Sequence, residues 1–382
     1  MKIAQVTGFF MPKNYGSNEL FLCRELSKRG HDVTVFTSAQ PRQEYAMLKE
    51  NCIEKSTERY EDFTIKRFPS KLRIRDIQIM PELFQSLILE DFDIIHAHEF
   101  FSPSALYSSI VKVMKHTPCV ITQHNDQLPC SFINRSLYYA DACTIGRFTL
   151  GQAKKIIALT RAIQGHLSLF GASSNKIQVI PNAIDTNKFA PNNKNLLKDR
   201  WNISPPIILY VGRFSEVKGL KYLLKAFPTV LKALPEVKLV LLGGGPLQTE
   251  VEIYEKRFLG NIISLPFVPN ELMPNVYPGC DVVVLPSLEE RFGNVTLEAM
   301  ACGKPVVGSC IGGMLDTIAH EETGLQVQPR NSQQIAKALI RILKNDKFKT
   351  ELGQNARQKA LNEFSSRIVI DKIERLYLTT LS

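Results

Sequence analysis

Nowhere does this sequence hold a run approaching the roughly 20 uninterrupted apolar residues that a membrane-spanning helix requires, so no segment is expected to cross a bilayer. Clustered cysteine is missing too. The eight cysteines, at 23, 52, 119, 130, 143, 280, 302 and 310, form no Cys-x-x-Cys and no Cys/His group at metal-ligand spacing. Their scatter predicts buried thiols in a reducing compartment and no structural metal. A nucleic-acid module is also lacking. The net charge of +10 is spread over the chain, 22 Lys and Arg against 18 Asp and Glu in residues 1–185 and 25 against 19 in the remainder, so neither half is a basic domain. The start, "MKIAQVTGFF", reads as a strand rather than a signal peptide, and the expected location is the cytoplasm.

Acid is absent from one short stretch. "KRFPSKLRIR", 66–75, carries Lys66, Arg67, Lys71, Arg73 and Arg75 interleaved with Phe68, Leu72 and Ile74. The run reads either as a solvated loop or helix face or as a contact for anionic lipid headgroups or a phosphorylated acceptor. In the second case the protein would sit peripherally at the inner face of the membrane.

What is present, from end to end, is alternation of β-branched runs with helical patterns, the mark of α/β architecture with mostly parallel sheets. Strands are expected at "KIAQVTGF", "DVTVFTS", "DIIHAH", "CVITQH", "KIIALT" and "IQVIPN", and again at "IILYVGR", "VKLVLLGGG", "NIISLPFV", "DVVVLPS", "PVVGS" and "LQVQP". Continuous hydrophobicity within them fits strands covered on both faces. A polar segment rich in Asn and Pro, near 183–205, separates the two sets. Two doubly wound domains facing across a cleft follow, of residues 1–184 and 185–364. The tail 365–382 reads as an amphipathic helix with Ile368, Ile370, Ile373, Leu376 and Tyr377 near one stripe.

Ligands of such sheets bind beyond the carboxyl ends of the strands, so the loops there were searched for chemistry. "VGRFSEVKGL" places Arg213 at a strand end and Lys218 at the next helix start, a planar fork and a compact ammonium suited to a diphosphate. "VLLGGGP", with Gly244 at its centre, permits either close backbone approach to a ligand or a plain turn. In "PSLEERFGNVTLEAMACGKPVV", Glu290 falls in a loop and Glu298 inside a short helix with Asn294 as expected N-cap and Gly303 beyond its end, which excludes a carboxylate dyad read from spacing. Gly16 stands at the first strand-to-helix turn. His98 and His124 end two first-half strands, and period two puts His96 on the same side as His98.

Taken in order, "VGRFSEVKG", "VLLGGGP", "PSLEERFGNVTLEAMACGKPVV", the glycine pair 312–313 and "ETGLQV", with "HAHE", "ITQH" and "IPNAID" before them, resemble the retaining nucleotide-sugar glycosyltransferases of the GT4 group over nearly the whole chain. The resemblance implies a GT-B fold of two Rossmann-like domains, the tail helix crossing back to the first, the donor held mainly by the second domain, the acceptor by the first, and no cofactor or metal. By the same resemblance Arg213 and Lys218 bind the diphosphate, Glu290 the donor sugar and Glu298 the ribose. Phe292, Gly293, Asn294 and Val295 turn backbone toward sugar and phosphate. His98 and His124 lie near the reaction centre and Gly16 near the donor phosphates. The nucleobase is expected against Phe267, Val268 and Pro269. Tyr15, Ala183 and Asp316 depart from the pattern, standing where glycine, glycine and glutamate are usual. The implied activity is transfer of a hexosyl group from a UDP- or GDP-sugar to a hydroxyl of a glycan or lipid-linked glycan. A nucleotide-sugar epimerase of the same fold, or a catalytically silent sugar-nucleotide-binding protein, are the alternatives.

Overall fold

The computed structural model describes residues 1–10, 18–40, 55–74, 77–125, 132–192 and 194–381. The expected strands all form: β1 (Lys2–Val6), β2 (Asp32–Ser38), β7 (Ile94–His98), β8 (Cys119–Gln123), β9 (Lys155–Ala158) and β10 (Ile177–Val179), then β11 (Ile207–Arg213), β12 (Lys238–Gly244), β13 (Ile262–Leu265), β14 (Val282–Leu285), β15 (Val306–Ser309) and β16 (Gly324–Val327). Four more were not read from the sequence, namely β3 (Ser56–Tyr60), β4 (Phe63–Phe68), β5 (Leu72–Ile74) and β6 (Ile77–Ile79). All but β6 carry charges, β5 and β6 have three residues each, and β3 closes one edge of a sheet as a hairpin with β4, where an apolar run on both faces is not needed.

The chain divides into two compact units, one of Met1–Ala183 with Val369–Ser382 and one of Ile184–Ile368. In the first, the sheet order is β10-β9-β8-β7-β1-β2-β4-β3, parallel except for the antiparallel β3–β4 pair. Consecutive residues of a strand feed different cores: Ile3, Val33 and Ile94 enter one, Ala4, Phe36 and Ile95 the other. Both faces are therefore apolar, which is why these strands show no alternation. The helix Ser366–Leu381 returns to this unit and buries Val369, Ile370, Ile373, Leu376 and Tyr377 in the first of those cores. Each such aliphatic side chain, fully removed from water, is worth about 1.5–3 kcal/mol.

The second unit carries a parallel sheet in the order β13-β12-β11-β14-β15-β16. Its core gathers Ile208, Leu239, Leu241 and Val282 from the strands with Leu223, Phe227 and Leu339 from the helices Leu220–Ala233 and Ser332–Leu343. The polar stretch near 183–205 belongs to this unit in large part. Ile184 N–H donates to Phe364 O at 2.8 Å, and a short helix, Leu196–Trp201, is capped by the Asn195 side chain.

Strand order reverses once in each sheet, between β7 and β1 and between β11 and β14. Such reversals open a crevice at the strands' carboxyl ends, and they fix where a ligand is to be sought.

The basic run 66–75 does not make one charged face. Lys66 and Arg67 lie in β4, and Lys66 pairs with Glu90 at 2.6 Å over the Phe36 ring. Arg67 is buried, bonded to Phe10 O at 2.9 Å and to Glu58. Arg73 lies over the Phe9 ring, Lys71 is exposed, and Arg75 falls outside the described residues. Within β4 the fold pairs Lys66 and Arg67 with Glu90 and Glu58, because a strand inside the sheet must satisfy its charges there.

Candidate active site

In the second unit, the β11 end is pinned from both sides. Tyr210 Oη donates to Arg213 O at 2.8 Å, and Phe214 N–H donates to Gly244 O at 2.9 Å. Arg213 is thereby held beside Gly244, its register partner on β12, with its guanidinium exposed. A single helical turn, Glu216–Lys218, follows and ends at Gly219, whose φ is 65°. A Cβ there would lie 1.9 Å from Pro286 O, so only glycine lets the loop after β11 rest on the loop after β14.

That contact brings Lys218 Nζ to 2.7 Å from Glu290 Oε2, and Ser287 Oγ donates to the same oxygen at 3.0 Å. Glu290 is partly buried and Glu289 is exposed, so the adjacent glutamates face different environments. Gly312, at φ 46°, packs beneath: its Cβ would meet Glu290 O at 1.9 Å. The glycine pair read as a motif thus supports the loop that carries Glu290.

The helix after this loop spans Asn294–Ala301, and its N-cap is Gly293 at φ 83°, not Asn294 as the sequence suggested. Gly293 adopts the left-handed turn that swings the chain into the helix, which moves Asn294 to the first helical position. The Thr296 and Ser215 hydroxyls are buried with no hydrogen-bond partner among the described residues. The Thr296 hydroxyl lies in the first turn of this helix, where the positive end of the helix dipole favours an anion.

Glu298 points elsewhere and shares no partner with Glu290. Tyr277 Oη donates to its Oε2 at 2.6 Å and Asn270 Nδ2 to its Oε1 at 3.4 Å; Lys188 Nζ in turn holds Asn270 at 3.1 Å. Burial pushes the Glu298 pKa up to about 7, against the lowering pull of Tyr277, Asn270 and Lys188. Asn270 lies in the loop after β13, just beyond Phe267, which is 71% exposed, and Val268, which is buried. The expected nucleobase loop and ribose carboxylate are therefore neighbours. Tyr277 and Asn270 carried no signal in the sequence, since they reach Glu298 from 21 and 28 residues away; Ser287, three residues before Glu290, lies in the quoted loop but was not singled out.

In the first unit, His98 ends β7 beside the strand reversal and His124 follows β8. His98 Nδ1 lies 2.8 Å from His124 Nε2, and the rings stack with centroids 5.1 Å apart. His96 stacks on His98 at 4.7 Å, on the same side as period two required. Burial first, then neighbouring His124, press the His98 pKa down to about 3, so its imidazole is neutral at ordinary pH. A polar chain supports the pair: Gln5 Nε2 donates to Tyr377 Oη at 3.2 Å, Tyr377 Oη meets His96 Nδ1 at 2.6 Å, and His96 Nε2 meets Thr122 Oγ1 at 2.6 Å. Gly16 and Tyr15 lie outside the described residues.

Two α/β units, each with cationic or imidazole groups at the strand reversal of its sheet, set the class of fold, and comparison with known proteins makes it specific. Residues 20–188 match the model of glycosyltransferase family 4 and residues 193–359 that of glycosyl transferases group 1. The chain belongs to this glycosyltransferase family. It is 28% identical to an uncharacterized glycosyltransferase of Methanocaldococcus jannaschii over 96% of this chain and 95% of that protein. It is 24% identical to the N-acetyl-alpha-D-glucosaminyl L-malate synthase of Bacillus anthracis over 94% and 92%. Among solved structures, Anabaena HepE in complex with UDP superposes with a TM-score of 0.77 at 20% identity, covering 99% of this chain and 100% of that one. Sucrose-phosphate synthase of Thermosynechococcus elongatus superposes with a TM-score of 0.76 at 22% identity, over 99% of each chain. The fold is GT-B.

Proposed function

We propose that this glycosyltransferase moves a hexosyl group from a UDP- or GDP-sugar to a hydroxyl of a glycan or lipid-linked glycan, with retention at the anomeric carbon. The observation that carries this reading is the Lys218–Glu290 ion pair at the β11–β14 reversal, with Arg213 exposed at the end of the same β11. In this reading Arg213 and Lys218 neutralise the departing diphosphate, where negative charge grows in the transition state, and the Asn294–Ala301 helix end receives a phosphate or sugar oxygen. Glu290 accepts hydrogen bonds from donor-sugar hydroxyls and Glu298 from the ribose. The matched residues include no nucleophile, which favours front-face attack, the leaving phosphate helping to deprotonate the acceptor.

Cationic side chains do for the diphosphate what a divalent ion does elsewhere, so transfer proceeds without a metal on the phosphates. The unit holding His98 and His124 receives the acceptor. A thermal-shift panel of UDP-, GDP- and ADP-sugars tests the donor class, because specific binding stabilises by RT ln(1 + [L]/Kd). No shift with UDP- or GDP-sugars at millimolar concentration would sink the assignment. Product anomeric configuration by NMR tests retention.

A further inference from the structure

The histidine pair of the first unit has a third neighbour that neither the motifs nor the donor chemistry employs. Glu19 sits in the first turn of the helix Asn18–Lys28, and its Oε1 lies 3.8 Å from His124 Nε2. One ligand atom each from Glu19, His98 and His124 lies within 4.8 Å of the others. We propose that Glu19, His98 and His124 form a binding site for one divalent transition cation, Zn2+ foremost, with an open coordination position.

The distances fit. Ligand atoms about 2.0–2.2 Å from a tetrahedral Zn2+ stand roughly 3.3 Å apart. The His98–His124 and His124–Glu19 separations, 2.8 and 3.8 Å, fall on either side of that value and all three ligand atoms lie within 4.8 Å of one another, so side-chain shifts of about 1 Å produce the shell.

A second observation concerns the tautomer. His98 Nε2 lies 3.0 Å from Gln5 Oε1, an oxygen that can only accept, so the His98 proton is on Nε2 and the Nδ1 lone pair faces the cluster. Gln5 is oriented in turn by its bond to Tyr377 on the returning helix. A histidine whose far N–H is anchored to an oxygen while its near nitrogen carries no proton is the arrangement that supports metal-bound imidazole. Without an ion, a single His124 N–H shared toward His98 is what fills the centre; a cation engages all three groups at once.

Space is available on the remaining side. A cavity of about 40 Å³ is lined by Glu19, His98, His124, Asn182, Ile370 and Ile373, room for a water or a substrate oxygen to complete the shell. Two imidazoles and one carboxylate suit Zn2+, Co2+ or Ni2+, whereas Mg2+ and Ca2+ prefer oxygen ligands throughout. All three residues belong to the first unit, and occupancy of the site does not depend on the donor reading.

The test uses the full chain, freed of metal by chelation and titrated with Zn2+ by calorimetry and with Co2+ by visible absorption. The expected result is one equivalent per chain with a Kd below roughly 10 μM for Zn2+, the d–d bands of four- or five-coordinate Co2+, and no binding of Mg2+. Glu19→Gln, His98→Ala and His124→Ala each weaken Zn2+ at least about tenfold, while His320→Ala leaves it unchanged. Glu19→Gln carries the test if the buried His98→Ala fails to fold, its fold being checked by far-UV circular dichroism. A Kd weaker than roughly 10 μM, or binding that Glu19→Gln leaves unaltered, overturns the proposal.

Discussion

Lys218 Nζ and Glu290 Oε2 stand 2.7 Å apart, tying the loop after β11 to the loop after β14 at the reversal of strand order. The pair presets an ammonium and a carboxylate, to which the proposed function gives the donor diphosphate and the donor sugar. Removing Lys218 leaves a partly buried carboxylate with the Ser287 hydroxyl as its remaining neighbour from this pair of loops. Lys218→Ala and Arg213→Ala are each expected to lower kcat by about 10²–10³, the cost of a lost preorganised charge contact. Steady-state kinetics with a saturating acceptor measures this, and near wild-type turnover in both variants would refute the diphosphate assignment.

Glu289 and Glu290 separate cleanly on exposure. Glu290→Ala is expected to reduce kcat/KM for the donor by at least about tenfold, and Glu289→Ala to change it less than about twofold, as surface substitutions do. The opposite ranking would move the sugar contact to Glu289.

Glu298 supplies a pH dependence. Its folded pKa, raised to about 7 chiefly by burial, lies above that of an unfolded carboxylate. The folded chain therefore binds this proton more tightly, and the group's burden on stability is present above pH 7 and relieved as pH falls from 7 toward the ordinary carboxylate range. Under the proposed role of Glu298 at the ribose, donor binding runs the other way, since a hydroxyl bonds the ionised carboxylate best. Donor KM is expected to rise as pH drops below 7, and Glu298→Gln to flatten both trends, read from Tm and KM between pH 5 and 8.

Gly219→Ala tests the loop contact independently of catalysis. A methyl 1.9 Å from Pro286 O, on backbone at φ 65°, forces the two loops apart. A loss of about 2–4 kcal/mol by denaturant unfolding of the second unit is expected, with donor binding weakened in parallel. An unchanged midpoint would show that the loops do not need this approach.

Tyr377 carries the returning helix into the polar chain of the first unit. Tyr377→Phe keeps the ring and removes the hydroxyl between Gln5 and His96, at an expected cost of about 1–3 kcal/mol, because both buried partners lose a bond. Leu381→Ala, at an exposed position of the same helix, is the comparison and should cost less than about 0.5 kcal/mol.

The sheets were legible because doubly covered parallel strands write themselves as apolar runs: Ile94 and Ile95 face opposite cores, and both must be hydrophobic. The charged strands β3 and β4 were not, since an edge hairpin needs no such run. Arg213, Lys218, Glu290 and Glu298 were legible as a set through loop motifs in fixed order. Their partners were not. Tyr277 and Asn270 reach Glu298 from 21 and 28 residues away, and nothing local marks them.

By itself the sequence determined the alternation of strands and helices, the polar division near residue 184 and the charged residues at the strand ends, all of which are local consequences of burial and turn chemistry. Only the tertiary structure decided that Glu290 rather than Glu289 meets Lys218, that Gly293 caps the helix in place of Asn294, and that Arg67 is turned inward. It alone brought Glu19 to His98 and His124, which lie 79 and 105 residues further along the chain. The physical reason is common to all of these: side-chain partners are chosen by how two loops or strands pack together, and packing compares residues that sequence order keeps apart.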